Sequence, residues 1–254
     1  MNHDIPLTPV RARFLGRWVG LLFLITYATS IPALLLFGPV LNDVHYVTGA
    51  GSDTQIQFAA LLEFILIVAN IGSAVVLYPL VRRRFPVGAA GFVAARITES
   101  AFIAIGILSV LSVVSLRASG SDAAALPVVA EALVAVKDWS FQFGPGLVVP
   151  IGNGMLLGWM MYRSGMVPRG LATLGLVGGP VLFAASVGIL FGVLDKGHPL
   201  YAIGVAPEFI WELALGVYLT ATGGRVAGLV DDDAGPAAAA NTSAQREEVV
   251  AAPL

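Results

Sequence analysis

Apolar residues run along this chain in long unbroken stretches, neither alternating at period two nor confined to one helical stripe. Six stretches reach the roughly 20 residues an α-helix needs to cross hydrocarbon. They cover residues 15–37, 56–80, 88–116, 138–162, 170–194 and 202–222. The third is long enough to span with a tilt. Their continuity argues against a β-barrel, whose strands alternate. Their length, their recurrence and the short connections between them argue against core helices of a soluble domain. The pattern predicts an all-α polytopic membrane bundle with six transmembrane helices. Residues 126–137 are apolar but short and bounded by charge, which predicts an interfacial or re-entrant helix.

The polar positions then orient the spans. Arg11, Arg13 and Arg17 precede the first, Arg82, Arg83 and Arg84 follow the second, Arg163 and Arg169 bracket the turn after the fourth, and Arg225 follows the sixth. The other side holds Arg117, Lys137 and Lys196. By the positive-inside rule both termini are cytoplasmic. Residues 1–14 then form a short cytoplasmic N-terminus, 15–225 the membrane domain, and 226–254, rich in Ala and polar residues, a disordered cytoplasmic tail. The first stretch is too long for the apolar region of a signal peptide and is expected to be retained.

Composition narrows the function classes. Of 254 residues, 57% are hydrophobic and 12% charged, about half the charge of a soluble domain. The net charge of −2 and the absence of a basic stripe exclude a nucleic-acid partner. There is no Cys, which excludes disulfides, thiolate metal sites and Cys nucleophiles. No metal or cofactor motif is present: His45 and His198 lie in outer loops without ligand spacing, and none of the six stretches contains a His.

What stands out is charge inside the apolar stretches, which is costly there. Glu63 lies in the second, Arg96 and Glu99 in the third, Glu208 and Glu212 in the sixth; Asn70 and Asn153 add uncharged polarity, and Asp138 opens the fourth. Arg96 and Glu99 are three residues apart, Glu208 and Glu212 four apart, so each pair shares a helix face. Spans two, three and six are therefore expected to present one polar seam opening toward the outer side, with Asp138 and Asn153 bringing span four to it. Arg96 is expected to pair with Glu99 or Glu212; the carboxyls left over cannot all be ionised in a dry site.

This pattern supports an intramembrane pocket that binds, and acts on, a small amphiphilic or lipidic molecule. Glu99, Glu212 and Arg96 are the catalytic candidates, and Glu63, Glu208, Asp138, Asn153 and Trp211 the ligand-binding ones. Beside it stand a proton-coupled small-molecule transporter and a structural or interaction module.

Four segments carry a resemblance: residues 11–20, Arg96-Ile97-Thr98-Glu99, Tyr162-Arg163-Ser164-Gly165-Met166-Val167-Pro168-Arg169 and Pro207-Glu208-Phe209-Ile210-Trp211-Glu212. In order and spacing the chain resembles the DUF4386 family of bacterial multi-pass membrane proteins over residues 11–225. The resemblance implies a multi-pass protein of a bacterial inner membrane and recurrent roles for Arg96, Glu99 and Glu212. It names no reaction. A His frequent in that family near the start of the fourth span is replaced here by Lys137-Asp138-Trp139.

Overall fold

The structure is a computed structural model and describes residues 7–43, 45–49, 51–119, 125–227 and 229–230. Helices begin where the chain supplies a cap. Thr8 accepts from the Arg11 amide (3.3 Å) and Pro9 occupies the first position of α1, Pro9–Leu36. After the short α2 (Gly38–Asn42), Ser52 caps α3 (Asp53–Val81) in the same way, through the Gln55 amide. Pro86 opens α4 (Pro86–Ala118). The next helical unit is α5 (Leu126–Phe141), continued through two π-helical stretches, Gln142–Val148 and Pro150–Leu157, into α6 (Gly158–Ser164). Helix α7 spans Arg169–Leu190, and α8 (Pro199–Thr222) ends at Gly223 in the left-handed conformation that glycine adopts without a Cβ clash.

No strand occurs among the described residues. Five helices, α1, α3, α4, α7 and α8, are each long and apolar enough to cross a membrane. They are apolar on all sides. Phe64, Val68, Leu108 and Val217 are exposed on the outside of the bundle, an arrangement that suits lipid and not water.

The fourth predicted span differs from its expectation. Residues 126–137 are not a separate interfacial or re-entrant element but the first turns of the helix that runs to Ser164. The charge at Lys137 reads in sequence as a boundary. In the fold Lys137 is 6% exposed and neutralised inside the bundle, so the helix continues past it. Lys137 therefore belongs to the interior and not to the outer loops. The π-helical turns follow from Pro145 and Pro150, which lack an N–H and crowd the carbonyl four residues back. Wider turns relieve that crowding.

Buried apolar residues form two separate cores. One gathers Ala12, Phe23, Leu77, Phe92, Met160 and Leu215; the other gathers Phe37, Tyr46, Ile56, Ile103, Val113 and Ala130. Between them along α1, α3 and α4 lie buried polar residues: Thr26 and Thr29 on α1, Asn70 on α3, and Arg96, Glu99 and Ser100 on α4. Gln142 and Asn153 occupy the same interval of the segment between α5 and α6. The bundle is thus two apolar plugs around a polar layer. At the end of the chain Val226 and Leu229 pack on the first core; the expected disorder of the tail concerns mostly residues 231–254, which lie outside the described residues.

Candidate functional site: a polar layer in the bundle

The polar layer holds two buried ion pairs. In the first, Arg96 donates to Glu99 at 2.8 Å, the three-residue spacing on α4 bringing both to one face. Asn70 of α3 donates to the other Glu99 oxygen at 3.0 Å. The guanidinium lies over Phe23 at 4.8 Å and Phe92 at 5.6 Å, so aromatic faces take part of the place of water. Its Nε and second terminal nitrogen are buried without a partner. Of the two partners expected for Arg96, the fold gives it Glu99.

In the second pair, Lys137 of α5 donates to both oxygens of Glu63 on α3 at 2.6 Å, with its ammonium 4.8 Å from the Phe37 ring centroid. Glu63 thus stands with Lys137 and apart from Arg96. The pair lies near the end of the bundle where α7 joins α8, because Lys196 in the loop between those helices reaches the neighbouring Asp138 at 3.4 Å. Glu208 is nine residues inside α8, about 13 Å further along the axis.

The two acidic residues of α8 meet neither cation directly. Glu212 accepts a hydrogen bond from Asn153. Trp211, fully buried, donates to the Asn153 carbonyl at 3.1 Å and lies flat on Gly175, where a Cβ would come within 2.5 Å of its ring. Trp211 therefore fixes the π-helical segment against α7 and α8. Glu208 is 2% exposed, and both its oxygens are buried without a hydrogen-bond partner. It lies against glycines: a Cβ on Gly154 would approach its carboxyl to 2.8 Å and one on Gly178 to 3.1 Å. Arg96 is within electrostatic range of both Glu208 and Glu212.

Of the residues read from the sequence, Arg96, Glu99, Glu208, Glu212, Asn153 and Trp211 therefore gather in one neighbourhood. Glu63 forms a separate pair above it. Asp138, its side chain 59% exposed, is on the surface against Lys196 of the α7–α8 loop. No site role is read from the sequence for Lys137 or for Tyr27, whose hydroxyl donates to the Phe209 carbonyl at 2.7 Å beside the α8 carboxyls. The available signal for Lys137 was the absence of any turn-forming residue between it and the following stretch.

A cavity of about 250 Å³ lies beside Asp138, near the α7–α8 loop. Val40, Leu41, Val47, Val113 and Val134 wall it, and Asp43, Glu131 and Asp138 supply its charge. Beside it Arg117 holds the loop before α3: it donates to Asp53 and to the carbonyls of Gly49 (2.8 Å) and Gly51 (3.1 Å), and it covers the Tyr46 ring. Burial, and then the Asp53 carboxylate that accepts its hydrogen bond, push the Tyr46 hydroxyl above its usual titration range. Among the described residues no group of three His, Asp or Glu side chains is arranged to hold a metal ion. His198 instead caps α8 through the Leu200 amide.

The family model described as "Domain of unknown function (DUF4386)" matches residues 18–223, and the chain belongs to that family. No curated protein and no solved structure matches the chain.

Proposed function

Starting from that membership, we propose that this chain is a bacterial inner-membrane protein that crosses the bilayer six times with both termini in the cytoplasm. We further propose that it binds a small amphiphilic or lipidic molecule entering from the outer side. The sixth crossing is the joined helix of residues 126–164, whose one deep cation is neutralised by Glu63. Orientation rests on Arg11, Arg13, Arg17, Arg82, Arg83, Arg84, Arg163 and Arg169, all toward one end of the helices.

The cavity at the outer end carries the binding proposal. Its walls are aliphatic apart from Tyr46, and its ionic groups are all carboxylates. An alkyl chain gains by leaving water for such walls, and a head group that donates hydrogen bonds, an ammonium above all, matches Asp43, Glu131 and Asp138. Lys137, next to Asp138 in the chain, and Glu63 lead inward from the cavity, and the polar layer with Arg96, Glu99, Glu212 and Asn153 lies deeper in the bundle. Any acid–base chemistry on the bound molecule falls to that layer.

Long-chain alkylamine and alkyl sulfate of equal length, titrated onto the protein in nanodiscs, test this. The amine is expected to bind saturably. Asp138→Asn with Glu131→Gln is expected to weaken it about tenfold, or about 1.4 kcal/mol. Val134→Trp, which fills the cavity without touching charge, is expected to abolish binding. Equal uptake of both amphiphiles, unchanged by Val134→Trp, would overturn the proposal.

A further inference from the structure

The polar layer contains four carboxyls and two cations. Lys137 takes both oxygens of Glu63, and Arg96 takes Glu99 with the help of Asn70. Neither cation forms an ion pair with Glu208 or Glu212, although Arg96 lies within electrostatic range of both. Glu212 still has a donor in Asn153; Glu208 has none. From α1, Tyr27 spends its proton on the Phe209 carbonyl. From α4, Arg96 gives one nitrogen to Glu99, and its other two nitrogens reach no acceptor, the Glu208 oxygens included. From α7, Gly178 brings no donor side chain, and the π-helical segment brings Gly154 and the Asn153 amide already given to Glu212. An ionised carboxylate sealed at 2% exposure without a single donor is among the most costly arrangements a fold can hold.

We propose that Glu208 is an intramembrane proton-binding site: its carboxyl carries a proton at neutral pH and exchanges it through Glu212. Glu212 follows four residues later on the same face of α8 and is only partly buried, which makes it the side from which a proton arrives. One proton leaves Glu212, forms an O–H bond on Glu208, and the negative charge moves one helical turn, about 6 Å, toward Arg96 and Asn153. The ligand of this site is the proton itself, and the inference does not depend on the outer cavity.

Infrared difference spectroscopy of the full chain in liposomes reads such a proton directly, through the C=O stretch of a protonated carboxylic acid. At neutral pH that band is expected in the native protein, with a downshift in heavy water. It is expected to disappear in Glu208→Gln and to remain in Glu63→Gln and Val134→Trp. In Glu212→Gln it is expected to persist but to exchange its deuterium several-fold more slowly. Since Gln mimics the neutral acid in shape, Glu208→Gln is also expected to unfold at nearly the native temperature. Absence of the band at neutral pH, its persistence in Glu208→Gln, or a large loss of stability in that variant would each overturn the proposal.

Discussion

The two acidic neighbourhoods of the polar layer solve one problem in opposite ways. Glu63 sits between α3 and α5 with an ammonium on both of its oxygens and an aromatic ring behind that ammonium. Glu208, on α8, is buried at least as deeply, and its nearest surroundings are two glycines. The first is held by charge. The second leaves a carboxyl whose requirement only a proton, or a donor from outside the chain, can meet. Burial alone therefore does not say how an intramembrane acid is held; the identity of its donors does.

The largest effect is expected where a cation is withdrawn. Lys137→Met leaves Glu63 buried with no partner, and a cost of about 3–5 kcal/mol is expected in reversible unfolding. Adding Glu63→Leu to that variant is expected to return most of it, because apolar residues of similar size replace buried pairs at little loss. If the double variant is as unstable as the single one, the pair has a role beyond mutual neutralisation.

A smaller effect is expected from the glycine side. A Cβ at Gly154 would lie 2.4 Å from the Gly179 Cα, so Gly154→Ala forces α7 and the π-helical segment apart at about 1–3 kcal/mol. That separation also lets water reach Glu208, so the variant is expected to exchange the Glu208 proton faster. Unchanged exchange would mean that the glycines do not seal the carboxyl.

The smallest effect concerns the loop before α3. Tyr46 holds its proton more tightly in the fold than in the unfolded chain. Its contribution is thus fully present below the ordinary tyrosine range, near pH 10, and is lost as pH rises through the higher folded value. Loop protection, followed by amide exchange at residues 45–49, is expected to fall only in strongly alkaline solution. A fall beginning near neutrality would assign the loop's stability to another group.

Much of this was readable beforehand, and the unreadable part has a physical cause. The apolar stretches announced α1, α3, α4, α7 and α8, because lipid imposes length and composition on any helix that crosses it. The three-residue spacing of Arg96 and Glu99 announced their pairing. The Lys137–Glu63 pair was not readable, since it joins positions 74 residues apart that only packing brings together. Without it, Lys137 looked like the end of a segment, and a single helix looked like two. The expectation of one seam failed for Glu63 for the same reason. A sequence reveals that a charge is costly where it lies, and packing decides which neighbour neutralises it.

Reversible unfolding of Glu63→Gln, Glu99→Gln, Glu208→Gln and Glu212→Gln in one nanodisc composition tests the division of the acids most directly. Two losses of about 3 kcal/mol or more, at Glu63 and Glu99, and little change at Glu208 are predicted, with Glu212 between them. Four equal losses, or the largest loss at Glu208, would contradict the account.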